Sequence, residues 1–429
     1  MIFGLIIIFT FLFLIFFWGE GKAFTAFFAL CLIGCQFPIK GPITVEDVLI
    51  VIFFLLALSK KRIKRRIIGY PFILCVSLYV ASSIISSVFT RITPHYVMAL
   101  VDCLRIAVLP FLFYIYVREK ENVRLIVKSM SFVAFFGIGL SLVALILQKN
   151  FYLDFLRAYL GDEFGWNYID EIRFGFGRAQ GFCLQPVSYG YICTTILSVY
   201  LLLLNKYQTK MHVTNSLMNA VALSCILGCL LSGSRSSILT MGICLICFYG
   251  KNIARLQNII FAIIAITFIY VIYGNSIGNL WESIINSDEA GMGSSSEMRL
   301  NQWDISIYYF LQSPFIGLGT NAVHEFVGGI KNEAILGAES IWFSLLVNKG
   351  LLGCLAYISL YVFSFVHIRS LKSNALIFLS LQLLINSLTS LPGYDASIFL
   401  CMVLLAHRKE IISHRETLLS KLLERVNNM

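Results

Sequence analysis

Apolar residues run along this chain in long blocks separated by short polar stretches that hold most of the charge. A helix needs about 17 to 25 apolar residues to cross the hydrocarbon core of a bilayer. From residue 67 onward the pattern predicts such helices at about 67–89, 97–117, 126–147, 187–204, 216–233, 236–250, 259–274, 340–366, 375–391 and 396–406. The first sixty residues carry three shorter runs, 1–17, 23–37 and 45–58. Thirteen spans put the N-terminus outside; about 12, with one run re-entrant, put it inside and form the count adopted from the pattern. A cleaved signal peptide does not fit, because the first run is too long and no small-residue cleavage site follows.

Two stretches, roughly 148–186 and 275–339, break this rhythm, being long and rich in Gly, aromatic and charged residues. Loops of that length in a compact protein are usually functional. In the second, Ser294-Ser295-Ser296-Glu297 is a capping box and predicts a helix start, with an end at about Gln312, before Pro314. Arg299 and Trp303, four apart, then share a face. Beyond residue 406, Ile411, Ile412, Leu418, Leu419, Leu422 and Leu423 against Arg415, Lys421 and Arg425 predict an amphipathic helix on the inner leaflet. The organisation is therefore all-α: one polytopic integral membrane domain over 1–406 with an external cap of two loops, then a cytoplasmic tail over 407–429.

Composition strengthens the membrane reading. The chain is 58% hydrophobic and 13% charged with a mean hydropathy of +0.82, far from the roughly one-quarter charged residues of soluble domains. Soluble enzymes, nucleic-acid binders and disulfide scaffolds are excluded. The net charge of +10 belongs to loops. With Lys60, Lys61, Arg62, Lys64, Arg65 and Arg66 in the cytoplasm, parity brings the other basic clusters there too, as the positive-inside rule requires. The twelve cysteines lie mostly in apolar runs, and neither Cys244/Cys247 nor Cys225/Cys229 has the neighbours of a zinc or cluster site, so packing explains them.

Candidate chemistry gathers on arginines that this topology places outside. Arg235 closes Ser232-Gly233-Ser234-Arg235, between two apolar runs. An arginine deep in a membrane costs about 2.5 to 3.5 kcal/mol even at the low end of measured scales, so an anionic partner is expected, with snorkelling to the interface as the plain alternative. Arg173 and Arg178 end the first external loop amid glycines 175, 177 and 181, and Arg299 lies in the second. Arginine forks match phosphate oxygens, which points to a lipid-linked diphosphate. Surface ion pairs with Asp162, Glu163, Asp170, Glu171, Asp288 and Glu289 are the plainer alternative. Asp102 and Arg105, three apart inside a span, are expected to neutralise each other on one helix face.

The ordered set Arg178-Ala-Gln-Gly181-Phe182 with Pro186, the segment ending at Arg235, Arg299 with Trp303, Pro314 with Gly317-Leu318-Gly319, and Ala338-Glu339-Ser340 with Gly350 and Gly353 resembles the O-antigen ligase and polymerase family over about 170–366. The resemblance implies that Arg235 and Arg299 bind the lipid diphosphate. It also implies a His-Asn pair in ligases where Glu339-Ser340 stands here, so the missing histidine favours a polymerase. Glu339 is then the candidate proton acceptor, as a half-buried carboxyl with a raised pKa, and His324 is the substitute. Arg173, Arg178, Trp303 and His324 are the candidate substrate-binding residues.

The expected reaction transfers glycan from polyprenyl diphosphate to another lipid-linked repeat unit at the outer face of a bacterial inner membrane. Arginines meet the leaving-group charge, with no metal or cofactor. A chain-length regulator and a flippase are the implied membrane partners, and no nucleic acid. The alternatives are an O-antigen ligase, with lipid A core as acceptor, and a flippase or transporter, for which the expected internal repeat is lacking. Topology is tested with Asn167→Cys, Gly291→Cys and Arg65→Cys. A membrane-impermeant thiol reagent should add label over the parent at the first two and not at the third; the opposite pattern overturns the sidedness.

Overall fold

A computed structural model describes residues 2–33, 37–40, 43–60, 63, 70–89, 96–161, 167–173, 176–207, 215–253, 296–327, 340–369 and 397–405. Within them the chain is overwhelmingly helical. In order come α1 (Ile2–Trp18), α2 (Glu20–Ile33), α3 (Val45–Ser59), α4 (Ile73–Phe89), α5 (Tyr96–Tyr116) and α6 (Lys120–Leu147). There follow α7 (Phe151–Leu160), α8 (Pro186–Tyr207), α9 (Asn215–Leu231), α10 (Arg235–Ile253), α11 (Ser296–Gln312), α12 (Ala322–Phe326) and α13 (Ile341–Arg369). Two-stranded hairpins, β1 (Pro38–Lys40) with β2 (Ile43–Thr44) and β3 (Ile172–Arg173) with β4 (Phe176–Gly177), are the strands.

Tyr96–Tyr116, Glu121–Leu147 and Ile341–Ser364 are long and apolar enough to cross a membrane, and shorter apolar helices accompany them. Such helices turn large apolar side chains outward, as Phe16, Ile146 and Val366 do. Inside, aromatic rings interlock: Phe24 on α2 stacks on Tyr116 of α5, with ring centroids 5.2 Å apart, and meets Phe53 of α3 edge-on at 5.3 Å. The buried Tyr116 hydroxyl finds a partner across the bundle, donating to the Phe53 carbonyl at 3.0 Å.

The first sixty residues form three helices, and ion pairs fix their order. Glu20 pairs with Lys60 at 2.5 Å and Lys22 with Glu121 at 2.8 Å, so the α1–α2 turn lies at the end where α3 stops and α6 starts. At the other end of α2 the Ile33 carbonyl lies against Cys183, beyond the first long loop. α2 thus reaches from that turn towards the end of the first long loop; 259–274, 375–391 and the tail 407–429 lie outside the described residues.

α5 departs most from the sequence expectation. A π-helical turn, Leu104–Val108, sits within it. Its wider i→i+5 closure rotates each residue less than an α-turn does, so Asp102 and Arg105 swing apart instead of sharing a face. Arg105 reaches Asp47 with two bonds of 2.8 Å, while Asp102 receives the Tyr79 hydroxyl at 2.8 Å and the Lys349 ammonium. The expected Asp102–Arg105 neutralisation is replaced by two interhelical pairs. Asp47 was available because it also caps α3, accepting from the Thr44 backbone N–H at 2.9 Å.

The other departure is in α13, where Gly350 adopts φ 63° and ψ −161° and breaks the helix. The chain leaving α11 passes through that break, too close for any side chain. A Cβ on Gly350 would lie 2.5 Å from the Phe315 carbonyl carbon.

Candidate functional site

The Ser-Gly-Ser-Arg segment is a tight turn joining α9 to α10. Ser232 N–H and Gly233 N–H close the end of α9 onto the Gly228 and Leu230 carbonyls at 3.0 Å each, and Gly233 takes φ 59°, the left-handed conformation glycine favours. Ser234 starts α10 by accepting the Ile238 N–H at 3.0 Å, and its hydroxyl accepts that of Ser237 at 3.2 Å. Ser232, Ser234 and Ser237 are buried, so the turn is set by its own hydroxyls. Gly190 of α8 permits this packing, since a Cβ there would lie 2.6 Å from Ser237 Oγ and 2.7 Å from Ser232 Oγ.

Arg235 is the first residue of α10 and is exposed. A cation in the first turn opposes the positive end of the helix dipole, whereas an anion there is attracted both by that dipole and by the free N–H groups. Arg235 and the N-terminus of a 19-residue helix therefore offer positive charge to one place.

Arg178 joins this turn from the first long loop, but its guanidinium faces inward. Nη1 donates to Glu171 Oε2 at 2.7 Å, Nε donates to the Ser232 carbonyl at 3.3 Å, and the group lies 5.5 Å from the Tyr168 ring centroid. Only 6% of its side chain is accessible. Ala179 N–H bonds the Leu231 carbonyl at 2.9 Å, so the loop and the turn move as one. Burial and the neighbouring Glu171 carboxylate push the Tyr168 phenol above its ordinary pKa, with Arg178 opposing them. Arg178 thus serves this site as a brace on Ser232, the ion-pair alternative having found its partner in Glu171.

Sequence reading missed Gln180 and the helix α7. The Gln180 side chain, buried, accepts from Asn150 Nδ2 at 3.0 Å and from the Tyr168 N–H at 3.3 Å, and donates to the Leu184 carbonyl at 2.8 Å. Asn150 in turn caps α7, accepting the Leu153 N–H at 3.1 Å. An Asn followed by apolar residues at helical spacing was the available signal. Arg173 lies on β3, paired in register with Phe176.

Arg299, Trp303 and His324 belong to a second group of elements. Arg299 is in the first turn of α11, which ends at Gln312 as the sequence predicts, and Trp303 stacks on Phe343 at the start of α13, 5.4 Å between centroids and 20° between planes. His324, on α12, is exposed. α11 packs on α13 and α13 on α4, while α10 packs on α8 and α9. Arg178 and Arg235 are therefore brought to one turn and Arg299 is carried by a different set of helices. Glu339 and the capping residues Ser294 and Ser295 lie outside the described residues; Ser340, next to Glu339, is buried and accepts the Ser344 N–H at 3.1 Å. Among the described residues no group of three His, Cys, Asp or Glu side chains is arranged to hold a metal ion.

The brace is testable by stability. Glu171→Gln leaves the Arg178 charge buried without its partner, and the folded protein should lose about 3 to 5 kcal/mol, read as a lower melting temperature in detergent. Glu171→Leu combined with Arg178→Met should recover most of that loss. An unchanged melting temperature in Glu171→Gln would mean that Arg178 is not held by this pair.

Comparison with known proteins agrees with the motifs. A family model described as O-antigen ligase matches residues 220–358, which run from α9 through the Ser-Gly-Ser-Arg turn and α11 into α13. No curated protein matches the chain. The turn at Arg235, the helix bearing Arg299 and the break at Gly350 all lie inside the matched stretch, and this match together with the apolar helices supports a multi-pass membrane protein similar, over residues 220–358, to the O-antigen ligase and polymerase family.

Proposed function

We propose that this protein polymerises lipid-linked oligosaccharide repeat units at the external face of a bacterial inner membrane. The observation that carries the reading is Arg235, exposed in the first turn of α10, where helix polarity and a guanidinium together favour a phosphate. Arg299 supplies a second fork from α11. The hydroxyl oxygen of an acceptor repeat unit attacks the anomeric carbon of the donor glycan. The bond from that carbon to the diphosphate oxygen breaks, and polyprenyl diphosphate leaves with the electron pair. The hydroxyl proton passes to Glu339. Preorganised guanidinium groups meet the charge that develops on the leaving group, with no divalent ion assigned to it.

The description of the matching family names a ligase, and transfer of the finished polymer to lipid A core is the second reading. Glu339-Ser340, in place of the His-Asn pair of ligases, favours the polymerase. The purified protein given a synthetic polyprenyl-diphosphate-linked repeat unit alone should build a ladder of products. A ligase yields product only when lipid A core is added, and a transporter yields none.

In the same assay Arg235→Lys and Arg299→Lys should each lose about 10- to 100-fold in turnover, the value of a charge-assisted hydrogen bond that a point charge does not reproduce. Full activity in both would reduce these residues to general positive charge. Glu339→Gln, which keeps the shape and removes the proton acceptor, should slow turnover by roughly 10² to 10⁴. Normal polymerisation in that variant together with loss in His324→Ala would move the base to His324.

A further inference from the structure

Among the described residues, two buried ion pairs join helices inside the bundle, apart from the Arg235 turn. Arg105 is joined to Asp47, and Lys349 to Asp102. The Lys349 ammonium, 3% accessible, also donates to the Tyr79 hydroxyl at 2.6 Å and sits 3.9 Å from that ring's centroid, while the hydroxyl donates to Asp102 at 2.8 Å. Three helices, α4, α5 and α13, meet at this cluster. Ionised groups at membrane depth are costly, and they persist where something depends on them.

Lys349 immediately precedes the break at Gly350. In many membrane proteins a broken helix frees backbone groups to bind an ion or substrate. Here those groups are used. The Val347 and Asn348 carbonyls accept the Leu318 and Gly319 N–H groups at 2.8 and 3.0 Å, and the Leu351 and Leu352 N–H groups donate to the Pro314 and Phe315 carbonyls at 2.8 and 3.1 Å. The break is a socket, and its occupant is the chain that leaves α11. Ser87 on α4 closes the far side, its hydroxyl 3.3 Å from that of Thr320.

We infer that Lys349, Asp102 and Tyr79 are positioning residues: a charge lock that holds the Gly350 socket against α4 and α5 and thereby sets α11, with Arg299 in its first turn, over the outer end of the bundle. This rests on reading Arg299 as a ligand of the donor diphosphate. The lock acts through the chain 314–320, which is bonded to both sides of the break in α13 and is continuous with α11. A buried pair that merely compensates its own charge differs in one respect: replaced by neutral residues, it leaves both stability and function intact.

The experiment removes both charges and then restores the geometry by another route. In Asp102→Asn with Lys349→Met no uncompensated charge remains, so melting temperature should stay near that of the parent while KM for the lipid-linked donor rises at least tenfold. Adding Ser87→Cys and Thr320→Cys staples the socket segment to α4, and the oxidised staple should return most of the lost donor affinity, which reductant removes again. An unchanged KM in the folded double variant, or no recovery with the staple verified by mass spectrometry, overturns the lock. Tyr79→Phe, which keeps the ion pair and most of the volume, gives the same reading on a smaller scale if the double variant does not insert. Oxidation of Ser87→Cys/Thr320→Cys needs no substrate: its rate should fall at least threefold when the lock is removed, and an unchanged rate counts against the lock. Absence of any glycan transfer by the parent protein would overturn the functional reading, while this rate still decides the lock.

Discussion

Inside hydrocarbon every backbone N–H and carbonyl must find a partner within the protein, because each one left over costs several kcal/mol. At Gly350 that constraint shapes the molecule. A helix that breaks at membrane depth exposes carbonyls on one side of the break and N–H groups on the other, and only another stretch of backbone in the right register can satisfy both. Residues 314–319 do so with four hydrogen bonds of 2.8 to 3.1 Å. The segment 314–319 is therefore built into the helix bundle. Gly317 and Gly350, whose φ angles of 74° and 63° suit residues without a side chain, are the condition for the two backbones to approach.

Charge inside the bundle follows a related economy. Asp102 and Arg105 could have paired along their own helix, yet each is joined to a residue of another helix, Lys349 and Asp47. An interhelical pair orients its helices as well as neutralising charge, and the π turn of α5 is what turns the two side chains toward different partners.

Arg178 and Arg235 differ in burial. Arg178, held by Glu171, the Ser232 carbonyl and the Tyr168 ring, stiffens the turn whose next residues begin α10. Arg235, three residues past Ser232, is exposed at the positive end of that helix. Arg178 spends its hydrogen bonds on the turn that Arg235 follows.

Much of this was legible in the residue order. Helix positions follow from runs of apolar residues long enough to exclude water, and the end of α11 follows from Pro314, because these are local properties of the chain. The Ser-Gly-Ser-Arg turn was visible for the same reason. Residue order alone determined that the chain is helical and membrane-embedded, and which arginines stand near the ends of helices. It did not determine partners. Asp102 and Arg105 are neighbours in sequence and look paired, but a single π turn redirects both to helices far away along the chain. Arg178 looks like a ligand until Glu171 and Ser232 are brought against it, and Lys349 looks like an ordinary basic residue until α4 and α5 bury it. Gly350 reads as one glycine among many until the backbone of Phe315 passes within reach of the Cβ it lacks. Periodicity and hydropathy are sums over neighbouring residues, whereas the partner of a buried charge or of an interrupted helix is chosen by three-dimensional packing between segments remote in sequence, and only the tertiary structure decides that.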